Sequence, residues 1–513
     1  MNKRKYILSV FVLLLIALSS CNKFLGVSPD TSFDVSIDSP EKIAELLTGA
    51  YPDASYFPFL EARTDNVDVR VYGEHFQLNE AMFFWEDYDQ EDLDTPLFYW
   101  NACYRGIAQA NKALELLKEY PKNDRIKALY GEAFLLRAYL HFMLVNIWAE
   151  PYRGEESKGM LGIPYVTKPE KHALVNYERG TLYDVYESIE KDLKLGITLV
   201  NDSYYKNPKF HFNKKAAYAF ASRFYLFKGD WQSVVDYSNY VLGANPKAII
   251  KDWHKYEEKY RFNRQALHQE YSATTNPANL LLTTTESRWA RDIKNQRYGI
   301  TDKRMDAIFN KQGFNGCTGY NNLNLALNYV FNSSPEPIKN GAYISKFGEL
   351  ASFGSTGIRP KGLYNTNILF STDEVLLNRM EAYTMLRQYD KATDDLLSFM
   401  QGKYHSIPPC GREVYTNSTT DMYGQITPFY GLSMKQLGLI RIILDFRQKE
   451  FVQEGIRWFD IRRFHISIKR DSRNPRYRML EKDDPRMVIQ LPVEAIRQGL
   501  EPNYRDKQIY VYN

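Results

Sequence analysis

Apolar residues recur at helical spacing over much of this chain, and where they stop the composition turns aromatic and polar. Ser39-Pro40-Glu41 is a helix start, since Pro suits the first turn and Ser can cap it, and Ile43, Leu46, Leu47 and Ala50 then fall on one face. Between residues 52 and 98 no period is sustained and Phe, Tyr, Asp and Glu abound, so a long loop-rich excursion is expected. Helical spacing resumes at Trp100, Tyr104, Ile107, Asn111, Leu114 and Leu117. It is strongest from Asp124 to Trp148, where Ile126, Leu129, Tyr130, Ala133, Phe134, Leu140 and Leu144 make a wide stripe, before Pro151 and Pro164 mark a loop. A final long helix is expected through Met434 to Phe464, followed by a basic, Pro-containing tail.

Two segments read as helix–turn–helix pairs of one design. Lys215 to Leu242 turns at Lys228-Gly229-Asp230, with Trp231 opening the second helix; Asp373 to Met400 has Tyr389 in that place. Each carries an aromatic, Tyr225 or Tyr383, six residues earlier. This resembles the tetratricopeptide pattern, in which small and aromatic residues interlock two antiparallel helices. Residues 244–372 between the pairs are rich in Asn, Gly, Thr, Ser and Tyr and hold only short periodic runs. The expected fold is mostly α: tetratricopeptide-like helix pairs carrying a large loop-rich ligand-binding face and few short strands.

The first thirty residues change the picture from a plain globular chain to an exported one. Lys3-Arg4-Lys5 is a positive n-region, and Ile7 to Leu18 is an apolar run too short for a bilayer, which needs about 20 residues. Leu18-Ser19-Ser20-Cys21 then resembles the lipobox of bacterial lipoproteins, which implies cleavage before Cys21 and acylation of its thiol. No later segment reads as a membrane span. Residues 1–20 are thus expected to be a signal peptide, 21–38 a lipidated tether and 39–513 a single domain, with parts at about 39–243, 244–372 and 373–513. Cys103, Cys317 and Cys410 form no CxxC pair, and Cys103 is expected to be buried and inert.

Charge and motifs exclude more than they identify. Three of the four net positive charges sit in Lys3-Arg4-Lys5, so the rest of the chain offers no argument for nucleic acid. The 8 histidines form no HExxH pair, and there is no P-loop, GxSxG elbow or GxGxxG after a strand. The acidic run Glu86 to Asp94 lacks the Gly and terminal Glu of a calcium loop and reads as a solvated loop, so neither cofactor nor metal is expected. The tail from Arg462 to Arg478 reads by default as a solvated basic face, with lipopolysaccharide or an acidic partner loop as the sharper possibility.

Aromatics are abundant, at 39 Tyr, 29 Phe and 7 Trp. A sugar presents a C–H face that flat rings cover and a hydroxyl rim that Asp, Asn and Arg can hydrogen-bond. Such groups gather in two loop-rich regions: Asp65, Asn66, Asp68, Arg70, Tyr72 and Trp85 in one, and Trp289, Arg291, Tyr298 and Tyr320 in the other. These are the candidate ligand-binding residues, with Trp85 or Trp289 as a stacking platform; the bland reading is that they fill the loops' own small cores. Trp100, Trp148, Trp231 and Trp458 lie on helical stripes and are expected in the core.

A set of ordered matches resembles the SusD/RagB family. They are the lipobox followed by Phe24-Leu25 and Pro29; Glu45-Leu46-Leu47-Thr48-Gly49-Ala50-Tyr51; Trp100, Tyr104, Ile107, Ala110 and Asn111; Glu132 to Tyr139 with Pro151-Tyr152; and Gly162-Ile163-Pro164-Tyr165. Near the end come Glu450-Phe451, Glu454-Gly455-Ile456-Arg457-Trp458, Asp460-Ile461-Arg462-Arg463, Leu491-Pro492 and Asn503-Tyr504. The chain departs from the family at Gln401 to His405 and at Phe446-Arg447-Gln448-Lys449. The resemblance implies a lipid-anchored outer-membrane protein that captures a nutrient, an oligosaccharide before a peptide, for a SusC-type TonB-dependent transporter barrel, without being an enzyme. It carries over no ligand contact. Two other readings stay open: a surface glycoside hydrolase using loop carboxylates, and a structural surface lipoprotein with no ligand.

Overall fold

The computed structural model describes residues 37–170, 177–260, 263–309, 327–331, 339–353, 360–403, 426–470 and 479–505. The leader, Cys21, the tether's first residues, Cys317, Tyr320 and Cys410 fall outside them.

Helix α1 (Pro40–Thr48) starts as its sequence predicts, with the Ser39 hydroxyl accepting from the Lys42 amide at 3.3 Å. The excursion expected at 52–98 needs correcting. It folds into α2 (Phe57–Arg63), the two-residue strand β1 (Asp68–Val69) and α3 (Gln77–Phe83). All seven residues of α2 are buried, Glu61 and Arg63 included, so no polar face existed to betray a period. Helices α4 (Pro96–Leu116), α5 (Asp124–Trp148) and α6 (Leu182–Leu199) pack in sequence, α5 against both others. Helix α6 is absent from the sequence reading, although Leu182, Val185, Ile189, Leu193 and Gly196 carry its buried stripe.

Glycines set how closely α5 and α6 cross. A Cβ on Gly131 would stand 2.5 Å from the Val200 nitrogen, and one on Gly196 would stand 2.6 Å from the Leu135 side chain. Across this contact Arg137 makes a two-pronged pair with Asp192 at 2.6 and 2.8 Å and a third bond to Asn111 on α4 at 2.9 Å. By length and a mean hydropathy of 1.2, α5 could cross a membrane, contrary to the expectation for later segments, but 89% of that stretch is buried in the fold. It is a core helix.

The two expected pairs are present as α7 (Lys214–Lys228) with α8 (Trp231–Leu242), and, later, Thr372–Met385 with Tyr389–Lys403. Gly229, at φ 81°, makes the first turn in the left-handed region that glycine enters without a Cβ penalty. Tyr225 is buried and stacks on Tyr237 across the pair at 5.5 Å. Between the pairs lie α9 (Trp253–Tyr260), α10 (Arg264–Tyr271), β2 (Asn279–Glu286), α11 (Trp289–Asn295), β3 (Tyr298–Gly299), α12 (Asp302–Phe309), β4 (Leu327–Phe331), β5 (Lys339–Ile344), β6 (Leu350–Phe353) and β7 (Pro360–Ser371). Strands β2, β7 and β6 form an antiparallel sheet in the order β2-β7-β6, and β7 leads directly into the second pair, α13 (Thr372–Met385) and α14 (Tyr389–Lys403). Arg223 on α7 ties the pairs together through Glu374 on α13 at 2.5 and 2.6 Å.

The single helix expected from Met434 to Phe464 is two, α15 (Met434–Glu450) and α16 (Ile456–Phe464). The chain breaks at Gly455, at φ 69°, whose amide donates to Glu61 and whose missing Cβ leaves room for Leu60 and Phe57. After α16 come β8 (Ile468–Lys469), β9 (Met479–Leu480) and the short α17 (Val493–Arg497). The solvated basic face expected from Arg462 to Arg478 is corrected over its described part: Arg462, Arg463 and Arg470 are buried and Lys469 is exposed, while residues 471–478 lie outside the described residues. Arg463 pairs with Glu381 and Asp460, and Arg470 donates to the carbonyls of Ala62, Thr64 and Val67. One core cluster contains residues from all three expected parts, Trp100, Trp148 and Trp458 among them, with Trp231 half-buried against it.

Candidate functional site

Strand β1 pairs with β3 in register, Asp68 opposite Gly299 and Val69 opposite Tyr298, so the two candidate regions meet in space. Arg70 holds the junction. Its amide donates to the Arg297 carbonyl at 2.8 Å, and its guanidinium donates to the carbonyls of Ile293, Lys294, Gln296 and Ile300 at 3.1–3.3 Å. The side chain fits because Gly299 and Gly341 flank it; a Cβ on either would stand within 2.8 Å of its atoms. Burial lowers the guanidinium to about 10, so Arg70 remains charged at neutral pH. Asn79 adds a second clasp, its side chain bonding both the amide and the carbonyl of Tyr298 at 2.9 and 3.0 Å.

Most of the candidate residues are internal here. Trp85 is 2% exposed, with its indole N–H on the Arg63 carbonyl at 2.9 Å and the Arg470 guanidinium over its ring at 4.6 Å. Trp289 is also 2% exposed and donates to the Gln453 carbonyl at 3.0 Å. Neither ring has a face open to a sugar, so the stacking-platform expectation gives way to core packing. Tyr298 is buried, stacked on Phe83 at 4.4 Å with its hydroxyl on Glu80. Asn66 is buried between Glu61 and Gln448, and Asp65 takes a two-pronged pair from Arg457 at 2.7 and 2.9 Å. These side chains join the first part of the chain to the last.

What faces solvent is a smaller set. Val71 and Tyr72 are 76% and 55% exposed at the tip beyond β1. The chain turns there against the partner segment so closely that a Cβ on Gly73 would collide with the Arg297 backbone. Arg291 is exposed and pairs with Glu349 at 2.7 and 3.1 Å, and Asp68, half-buried, meets Arg304 at 3.4 Å. In the fold Arg70 and Asn79 fix the paired strands at the base of the tip.

Two carboxylates bear on hydrolysis, Asp94 in a loop and Asp292 on α11. Burial pushes Asp94 up to about 7 and Asp292 up to about 6, values a general acid could use. Asp94, however, is 4% exposed, and its carboxylate accepts the Arg288 amide at 2.8 Å, as a turn cap does. Among the described residues, no group of three or more His, Cys, Asp and Glu could hold a metal ion.

Residues 23–226 match a family model of SusD-like proteins, described as starch-binding and associating with the outer membrane. That match makes residues 23–226 SusD-like in sequence. Solved structures extend the likeness of fold beyond the matched segment. A SusD superfamily protein from Bacteroides thetaiotaomicron VPI-5482 aligns with a TM-score of 0.68 at 17% identity, covering 91% of this chain and all of that one. A SusD-like carbohydrate binding protein from Bacteroides vulgatus ATCC 8482 aligns at 0.66 and 14% identity, over 92% of this chain and 100% of its own. A SusD superfamily protein from the same strain aligns at 0.65 and 18%, over 91% and 100%. No curated protein sequence matches the chain. Residues of the quoted motifs acquire roles in the fold: Arg137 bolts α4, α5 and α6 together, Gly455 breaks the C-terminal helix, and Arg457 and Arg463 fix α16 to Asp65 and Glu381.

Proposed function

We propose that this SusD-like protein is a capture subunit at the outer membrane, held by lipid on Cys21, that binds an oligosaccharide without cleaving it. It delivers the ligand to a SusC-type TonB-dependent transporter barrel. The observation that carries the reading is the match of residues 23–226 to a starch-binding, outer-membrane-associating family. The ligand face is the tip beyond β1, with Tyr72 as the aromatic surface and Arg291 and Asp68 as hydrogen-bonding groups near it in the fold. Arg70, Asn66, Trp85, Trp289 and Tyr298 hold that face in place rather than touch the ligand. A bound sugar favours the closed lid over the barrel by its differential affinity for the two states, and the transporter supplies the energy of import. Asp94, buried and capped into a turn, counts against the hydrolase reading, which is left with the half-buried Asp292 as its acid.

Two results test this. Mild-detergent extraction and pull-down should recover a large outer-membrane barrel with the protein; reproducible recovery of the protein alone, with the barrel expressed, removes the delivery step. Tyr72→Ala should weaken oligosaccharide binding about tenfold, or ~1.4 kcal/mol, with an unchanged urea midpoint because the ring is more than half exposed. Wild-type affinity in that variant places the ligand elsewhere.

A further inference from the structure

Lysines and exposed tyrosines gather at one end of the helical body, the end at which the chain enters α1. Glu41, in the first turn of α1, pairs with Arg125 in the first turn of α5 at 2.6 Å. The linker between α6 and α7 lies beside the early turns of α5, where His211 Nδ1 is 2.8 Å from Glu132 and Gly131 meets Val200. Helix α7 then runs along α5 in the same direction, Phe220 against Tyr139 and Phe224 against Phe142. The start of α7 and the end of α8 therefore share this end with the start of α5.

Residues 202–215 carry Lys206, Lys209, Lys214 and Lys215 against one carboxylate, Asp202, which accepts the Lys214 amide at 2.7 Å. Lys247 follows α8, and the next acid beyond it, Asp252, accepts the Lys255 amide at 3.1 Å. Lys206, Lys214, Lys215 and Lys247 are exposed, and among the described residues neither they nor Lys209 form an ion pair. Lys209 donates to the Asn276 carbonyl at 2.6 Å; burial, with the charges of Lys215 and Lys251 beside it, lowers its ammonium from the usual lysine range. Lys214 and Lys215 open a helix whose first turn holds no acid, so they oppose the helix dipole and do not serve the helix itself. Tyr204 and Tyr240 belong to the same segments and are 46% and 67% exposed. Tyr240 is held in place by stacking on Tyr218, one turn into α7, at 4.9 Å.

Ammonium groups attract anionic headgroups, and the amphipathic tyrosine ring suits the boundary between headgroups and water. A basic patch is also the second attraction that holds a lipid-anchored body to its membrane. We propose that this lysine–tyrosine end is a docking surface for an anionic lipid surface, the one in which the anchor sits. Two observations select that occupant: the excess of unpaired lysines, and their place at the end where the tether joins α1. The proposal rests on the reading of Cys21 as the anchor for which membrane is met, and goes beyond it in giving the body an orientation on that membrane.

The test is co-sedimentation of the chain from residue 22, which carries no lipid, with vesicles of roughly equal parts phosphatidylglycerol and phosphatidylcholine, and with phosphatidylcholine alone. The chain should bind the mixed vesicles only, and high salt should release it. Lys214→Gln with Lys215→Gln should weaken binding tenfold or more, at about fivefold per lysine, with a melting temperature no lower than wild type. Tyr240→Ala should weaken it about threefold. The same loss of charge at the turn end of the helix pairs, Lys391→Gln with Lys435→Gln, should leave it unchanged. No binding to mixed vesicles, equal binding to neutral ones, wild-type affinity in the Lys214 and Lys215 double variant, or retention on immobilised polygalacturonate in place of the vesicles overturns the proposal. The anchor is read separately, by membrane association of the full chain and its Cys21→Ala variant, so the two failures are told apart.

Discussion

Lys346→Met is expected to destabilise the protein by about 3–5 kcal/mol, the range for breaking a buried ion pair by removing one partner. The ammonium group is fully enclosed and makes three bonds, to the carbonyls of Glu450 and Val452 at 2.5 and 3.1 Å and to Glu454 at 2.7 Å. Each joins the strand-rich middle of the chain to the bend between α15 and α16. Methionine fills much of the volume but leaves Glu454 buried, with the Tyr271 hydroxyl at 2.7 Å still donating to it. The loss should therefore come from the stranded carboxylate, and Lys346→Met with Glu454→Gln together should cost less than Lys346→Met alone. Urea unfolding followed by circular dichroism reads both. A loss below about 1 kcal/mol, as for solvated pairs, would mean that the bend opens to water.

Trp85→Ala and Trp289→Ala should each cost about 3–5 kcal/mol, as other large aromatic truncations do, and any weakening of ligand binding should track unfolding. Trp85 sits at φ 57°, a left-handed conformation that a bulky residue adopts only when its surroundings hold it there. Its indole hydrogen bond and the Arg470 guanidinium over the ring provide that hold. Removing the ring opens a cavity and takes away a face on which a buried cation rests. Trp289 pins α11 to the same α15–α16 bend through Gln453. Folded Trp85→Ala or Trp289→Ala protein with a wild-type urea midpoint and lost affinity would restore these rings as ligand platforms.

The long helices were legible because their stripes are long: Asp124–Trp148 has the very bounds that its spacing indicates, and Ser39 and Gly229 act as cap and turn where their chemistry predicts. Short, wholly buried elements were not. Phe57–Arg63 has no polar face, so periodicity had nothing to register. The break before Ile456 hinges on one glycine that an otherwise helical pattern conceals. For the candidate site, composition identified two regions that the fold does pair, Asp68 with Gly299 and Val69 with Tyr298. What composition lacks is direction: Trp85, Trp289 and Tyr298 point inward and Tyr72 outward, because long-range partners such as Arg63, Gln453 and Asn79 decide it. The basic tail misled for the same reason, since the carboxylates and carbonyls that receive its arginines lie far away in sequence.

The central claim, capture without chemistry, is tested most directly by titrating the chain from residue 22 with a panel of defined oligosaccharides and analysing each sugar afterwards. The account predicts saturable binding of at least one, weakened by Tyr72→Ala, with every oligosaccharide recovered at its original length after prolonged incubation. Shortened products that disappear in Asp94→Asn, or no binding across the panel, would contradict it.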